Sequence, residues 1–411
     1  MGFEQALSGL TAASQNLDTI GNNIANASTI GFKDVRAEFA DVYAASLGGA
    51  TATQIGIGTA VAAIAPQFTQ GNITTTGNPL DVAINGGGFF REVKNGVTSY
   101  SRDGQFSLDA NGFIVNTGGA QVTGYPASAT GTITSAPPVP LQLSQAPVPP
   151  SATKTASLSL NLNAGATLPQ NTPFVAGDPT TYNSSTSLTV YDSQGNSHTV
   201  STYFVKTAND AWDVYATGDT LPLNGGAKVL SLAFNTSGAL TTTPASATLN
   251  VPVNTAATVP LPNLTFTLSF PNASNTQFGV PFAVSANTQD GYGTGQLAGF
   301  SIGNDGVISG RYTNGQTRAQ GQIVLASFTN PQGLIAQGGN EFAASLASGA
   351  PVVGAPGSGS MGSVQSGALE SSTVDLTTEL VNMITAQRVY QANSETVKTE
   401  DQVQQTLMNL R

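Results

Sequence analysis

His198 is the single histidine of a 411-residue chain that contains no cysteine. With neither a second His nor any Cys beside it, it cannot complete one of the commoner zinc sites or a Ser-His-Asp triad without unusual partners. It follows Asn196 and Ser197 in what reads as a hairpin, so we expect a strand residue there. The run Gly86-Gly87-Gly88 could cradle a phosphate, but no Gly-Lys-Ser/Thr follows and Phe89-Phe90 continues as strand. A tight turn is expected instead. Asp and Glu are sparse and scattered, and nothing marks a pair of carboxylates for glycoside hydrolysis. No catalytic residue, metal or cofactor is expected, and the chain reads as a protein that is not an enzyme.

The spacing that does stand out is a packing spacing. Phe3, Leu10, Leu17 and Ile24 fall seven apart, and so do Ala6, Ala13, Ile20 and Ala27. This is a coiled-coil seam in which large residues face small ones. Before Lys33 only Glu4 and Asp18 are charged. Such a helix is either an amphipathic helix of its own domain or one buried among neighbouring subunits, and the sparse charge favours the second. Asn22, Asn23 and Asn26 are candidates to satisfy polar groups at the helix end or between subunits; simple helix termination by Gly and Asn is the other reading.

At the far end, residues 372–410 read as one long helix, with Ser372 and Asp375 resembling a capping box. Leu376, Leu380, Met383, Tyr390 and Val397 form its apolar stripe. Residues 354–367, rich in Gly and Ser, read as a linker.

Composition bounds the function classes. Lys and Arg number 13 against 23 Asp and Glu, a net charge of −10, which argues against nucleic acid or an anionic membrane as partner. Charged residues make up 9% of the chain, far below an average soluble protein at roughly 25%. A surface wetted by hydroxyls and amides suits an extracellular protein or one covered by copies of itself, since each buried charge carries a desolvation penalty. The first thirty-two residues lack Lys, Arg and an apolar core, so a cleaved signal peptide is not expected. No stretch is apolar enough to insert in a bilayer.

Between the helices the pattern is β. Leu158, Leu160 and Leu162 alternate with polar residues, as do Leu264, Phe266, Leu268 and Phe270. Val190 to Phe204 reads as a hairpin turning across residues 192–196. Residues 229–289 carry no charge and suit a sandwich or barrel, which prolines from Pro137 to Pro150 introduce. Phe106-Ser107-Leu108 with Asn111-Gly112 and Ile114 is echoed by Phe300-Ser301-Ile302 with Asp305-Gly306 and Ile308. Two such hairpins flanking the uncharged region suggest one domain into which another is inserted.

The expected architecture is therefore mainly β with long terminal α-helices, in nested discontinuous domains with two outer β-domains. The boundaries are 1–33 plus 368–411 for the terminal helices, 34–70 for a connecting segment, 71–145 plus 286–367 for one β-domain, and 146–285 for an inserted outer one.

Ser8-Gly9-Leu10, then Leu17 through Asn26, then Thr29-Ile30-Gly31-Phe32-Lys33 resemble the amino-terminal signature of the flagellar rod and hook axial proteins. Val374-Asp375-Leu376, Glu379-Leu380, Met383-Ile384, Ala386-Gln387-Arg388 and Tyr390-Gln391-Ala392-Asn393 are similar to the matching carboxy-terminal signature. Further likeness lies at Thr76 to Asp81, Gly88-Phe89-Phe90, Tyr100 to Gly104, Tyr312 to Gln316 and Asn330 to Leu334. The element from Tyr191 to His198, with the inserted β-domain, resembles hook more than rod.

The resemblance implies a structural subunit of the flagellar axis. Its N- and C-terminal helices would pair as a coiled coil lining an inner tube, with β-domains outward. Such a subunit assembles with itself into a curved helical tube that transmits torque as a universal joint. It meets rod, hook-cap and hook-filament junction proteins, and leaves the cell through the flagellar type III export apparatus to lie extracellularly in the hook. The self-assembly seam would be Phe3, Leu10, Leu17, Ile20 and Ile24 with Leu376, Leu380, Met383, Tyr390 and Val397. A distal rod or hook-filament junction protein, and a secreted β-domain adhesin, are the alternatives.

Overall fold

Two long helices bracket a chain whose regular structure between them is, among the described residues, strands and three short 3-10 turns. The computed structural model describes residues 2–42, 56–253 and 262–409. Helix α1 runs Gly2–Ala25 and helix α2 runs Leu376–Asn409. The second starts four residues later than the sequence suggests. Asp375, rather than Ser372, is its cap: the Asp375 carboxylate accepts the backbone N–H groups of Thr377 at 2.9 Å and Thr378 at 3.3 Å, which meets donors that have no partner inside the helix. Leu410, at the end of the expected helix, lies outside the described residues.

The chain divides into two compact units, one of residues 1–145, 299–311 and 317–411, the other of residues 146–298 and 312–316. In the first, the expected connecting segment is a two-stranded antiparallel ribbon, β1 (Val35–Val42) against β2 (Gly58–Pro66), with Val35 opposite Pro66 and Val42 opposite Gly58. The part of that segment at 43–55 lies outside the described residues. Beyond it, a large sheet seats Phe89, Tyr100, Phe328 and Phe342 in one aromatic core with Phe68, the rings meeting edge to face at 4.8–6.3 Å. Both echoed hairpins form. Phe106–Leu108 pairs with Ile114–Asn116, and the second turns between Ile302 and Val307, where Gly303 N–H donates to Val307 O at 2.9 Å.

The stretch read as a linker is not one. Ser363–Ser366 is a strand paired with Val82–Asn85, and Val364, opposite Ile84, is 1% exposed. A valine alternating with polar neighbours among the glycines and serines is enough to bury one face of a short strand. The next strand, Ala368–Glu370, pairs with Ile73–Thr75. The chain thus returns beside its own beginning before α2 starts.

The second unit is a sandwich of two five-stranded sheets. Leu158, Leu160 and Leu162 from Thr155–Asn163 meet Leu264, Phe266 and Leu268 from Leu264–Ser269 and Phe204, Trp212 and Val214 from the facing sheet, all at most 5% exposed. The alternation that marks these strands in the sequence is the alternation that fills the core. Trp212 Nε1 donates to Gln277 Oε1 at 2.9 Å, so the indole is buried without an unmet donor.

Candidate functional site

Where α1 ends, a buried charge cluster ties three distant segments together. The α1 helix gives way to Gly31, whose backbone has φ +69 and whose N–H donates to Glu370 O at 2.8 Å. A Cβ there would lie 2.7 Å from the Arg102 carbonyl carbon, so only glycine fits. Two residues on, Lys33 Nζ reaches Glu370 Oε1 at 2.7 Å and Thr69 O at 2.6 Å. Arg102 places NH1 3.2 Å from Glu370 Oε2 and NH2 2.8 Å from Gly86 O. The side chains of Lys33, Glu370 and Arg102 are 1%, 0% and 5% exposed.

Burial pushes both the Lys33 ammonium and the Arg102 guanidinium down, and the Glu370 carboxylate opposes that shift. One anion faces two cations, and the carbonyls of Thr69 and Gly86 supply one further acceptor to each, while Arg102 Nε has no hydrogen-bond partner. The cluster fastens the start of α2 to the end of α1. Lys33 and Arg102 stand inside the motifs read from sequence, but their shared partner Glu370 was not singled out.

Asn23 makes the second tie. It is 2% exposed, its Nδ2 donates to Asp34 Oδ1 at 2.5 Å and Val35 O at 2.9 Å, and its Oδ1 accepts Val35 N–H at 3.1 Å. Its amide thus pairs with the first residue of β1. Asn26 closes the helix locally instead, donating to Asn22 O at 2.9 Å and Asn22 Oδ1 at 3.0 Å.

The two helices pack along their small residues. On α1 the buried positions are Ala6, Ala12, Ala13, Thr19, Ile20 and Asn23, while Phe3, Leu10, Leu17 and Ile24 stay half-buried. At Gly9 a Cβ would stand 3.0 Å from the Asn393 side chain, which is how closely the helices approach. On α2 only Glu379 and Ala386 are buried among the described residues; Met383 and Val397 are half-buried. Leu376, Leu380 and Tyr390 of the expected seam are 47%, 46% and 37% exposed, and Val381, Ile384 and Val389 are at least 48% exposed. The small side of the α1 heptad is buried within the chain, its large side is half-covered, and the larger apolar side chains of α2 are mostly exposed.

Between α1, β1 and α2 a cavity of about 720 Å³ remains, lined among others by Asn16, Asn23, Asp34, Arg36, Glu379 and Asn382. Glu379 Oε1 accepts from Asn382 Nδ2 at 3.2 Å, whereas Glu379 Oε2 has no hydrogen-bond partner.

His198 lies in the strand Ser197–Ala208 of the second unit. Its ring nitrogens contact two carboxylates, Nδ1 to Asp219 Oδ2 at 2.5 Å and Nε2 to Asp192 Oδ2 at 3.5 Å. Asp192 also organises the expected turn, accepting the N–H groups of Gln194 at 2.9 Å and Asn196 at 2.8 Å.

Family models match four segments: the flagella basal body rod protein at residues 3–33, the flagellar hook protein FlgE/F/G D1 domain at 83–170, the flagellar basal body protein FlaE D2 domain at 160–292 and the flagellar basal body rod FlgEFG protein C-terminal at 365–410. The chain is 45% identical to the flagellar hook protein FlgE of Escherichia coli (strain K12) and 46% identical to that of Salmonella typhimurium, each covering 100% of both chains. Its likeness to the flagellar hook protein FlgE of Rhizobium meliloti is 35% over 98% of this chain and 97% of the other. In fold it is similar to the crystal structure of Helicobacter pylori flagellar hook protein FlgE2, with a TM-score of 0.51 at 16% identity over 72% of this chain and 100% of that one.

Proposed function

The chain belongs to the flagellar hook protein family, and from that membership we propose that it polymerises with itself into a curved helical tube that transmits torque as a universal joint. It is a structural subunit of the flagellar hook and part of the flagellum. The observation that carries the polymer reading is the outward face of α2, where Leu380, Val381 and Ile384 are each 46–59% exposed beside a helix that already packs on α1. Covering such a face recovers roughly 25 cal/mol per Å² of apolar surface, and a polymer repeats that gain at every subunit.

In this reading α1 and α2 form a coiled coil in each subunit, with Ala6, Ala13 and Ile20 facing the Glu379 and Ala386 side of α2. The remaining seam residues, Phe3, Leu10, Leu17, Ile24, Leu376, Leu380, Met383, Tyr390 and Val397, pack against neighbouring copies. Asn23 works inside the subunit and the more exposed Asn22 and Asn26 are available between subunits. In this reading the second unit is the inserted β-domain, and the strands and hairpins of the first belong to the domain that its chain interrupts. Rod, hook-cap and junction proteins would meet the ends of the tube, and the flagellar export apparatus would deliver the chain.

Contacts that generate a tube are head-to-tail and do not close. Electron microscopy of purified full-length protein tests the reading: curved tubes support it, whereas closed rings or persistent monomers at high concentration contradict it.

A further inference from the structure

The cavity beside α2 holds a charge that its own subunit does not answer. Glu379 is 8% exposed and lines this space, and its Oε2 has no partner. Asp34 lines the same space, and burial first, then the Glu379 charge, pushes its carboxyl up. Among the described residues Arg36 is the one cation lining the cavity, and it is exposed to solvent. Two carboxylates against one solvent-facing cation leave a socket short of positive charge, and an unpaired buried carboxylate oxygen is costly.

The helices carry one candidate to fill it. Helix α1 has no Lys or Arg, and on α2 Lys398 is already 3.2 Å from Glu395. Arg388 is exposed, and its side chain makes no ion pair or hydrogen bond among the described residues. It stands nine residues beyond Glu379, about 13 Å along the axis and about half a turn round it, so it points away from its own socket. It shares the outward stripe with Val381 and Ile384 at helical spacing.

We propose that the Glu379–Asp34 cavity is a socket for the Arg388 guanidinium of a neighbouring copy of this chain. The inference rests on the self-assembly reading above and deepens it by naming one contact. A guanidinium presents a planar fork of donors suited to a carboxylate and always carries its charge, so it can meet Glu379 Oε2 while its stem packs beside the small residues of the cleft. The contact is heterologous, since the plug of one copy enters the socket of the next and leaves its own socket for a third.

Full-length wild type, Arg388→Glu and Glu379→Arg are each titrated for the critical concentration of polymerisation, alone and as an equimolar mixture of the two variants. Each variant alone should need at least a tenfold higher concentration than wild type. The mixture should polymerise near the wild-type concentration, because in an alternating polymer every contact is again a carboxylate against a guanidinium. The introduced carboxylate of one variant meets the introduced guanidinium of the other at one contact, and the unchanged Arg388 and Glu379 meet at the next. Unimpaired assembly of Arg388→Glu beside a polymerising wild type overturns this inference alone, and so does a mixture no better than its components. Wild type that forms no polymer overturns the self-assembly reading with it. If Glu379→Arg melts below wild type as a monomer, Arg388→Gln at the exposed site decides: a raised critical concentration supports the socket and an unchanged one overturns it.

Discussion

Lys33 Nζ sits 2.7 Å from Glu370 Oε1 across 337 residues of chain, with both side chains at most 1% exposed. Residues from the two ends are thereby locked at the point where both helices leave the β-structure. Removing one partner of a buried pair leaves an uncompensated charge and typically costs about 3–5 kcal/mol. Glu370→Gln is therefore expected to destabilise the first unit by about 3 kcal/mol, read by chemical denaturation followed by circular dichroism. Lys33→Met should lose less than Glu370→Gln, because Glu370 then still pairs with Arg102, one anion to one cation. A Lys33→Met loss as large as that of Glu370→Gln would contradict this sharing.

Glu92 gives the first unit a pH dependence of definite sign. It is fully buried, and burial first, then Glu341 and Asp103, push its carboxyl up to about 8. Its Oε2 accepts from Asn116 Nδ2 at 2.7 Å, which only partly offsets that shift. The folded chain thus keeps a proton that the unfolded chain has lost above the ordinary Glu range. Stability should fall as pH rises from about 4.5 to about 8, by up to roughly 1.4 kcal/mol per unit from this group. Glu92→Gln should match wild type near pH 5 and exceed it above pH 8 in hydrogen exchange of the Phe89–Lys94 strand. A parallel offset at both pH values would contradict the assignment.

His198 acts in the opposite chemical sense in the second unit, as a cation that folding favours. Burial opposes its proton, but hydrogen bonds to Asp219 and Asp192 outweigh burial and raise its pKa above the ordinary imidazole value. Its contribution is fully present below about 6.5 and disappears as pH rises through the raised folded value. The stability gap between wild type and His198→Gln should therefore be larger near pH ~5.5 than near pH ~9. Trp212, the single tryptophan, is buried in the same unit and reports its unfolding by fluorescence.

Ile384→Asp separates folding from assembly. At 51% exposure the isoleucine contributes little within the chain, so the monomer should melt within about 0.5 kcal/mol of wild type. In the polymer the same change places a carboxylate on a face that neighbours cover, and sedimentation should show no tubes. A variant that polymerises as wild type does would show that this face is free in the assembly.

Much of the fold was legible because periodicity reports directly on burial. The alternation at Leu158 to Leu162 and the sevens from Ala6 to Ile20 each name the face that goes inward. What was not legible depended on partners far along the chain. Ser363–Ser366 lies in a Gly and Ser run whose polar composition hides a pairing with Val82–Asn85. The start of α2 was misplaced because Ser372 and Asp375 both suit a cap, and only the geometry assigns Asp375. Glu370 escaped notice although Lys33 and Arg102 stood in recognised motifs, since no spacing rule links residues 268 and 337 positions apart. The signal available was scarcity: where 9% of residues are charged, a charge inside an otherwise apolar and amide-rich motif marks a specific partner.

The central claim is that the outward face of α2 is an interface between copies, and a helical reconstruction of the assembled polymer tests it most directly. The account predicts a curved tube with α1 and α2 at the inner radius, Leu380, Val381 and Ile384 covered by a neighbouring copy, and Lys33 still paired with Glu370. A polymer in which those three side chains face open water while contacts run only through the β-structure would contradict it.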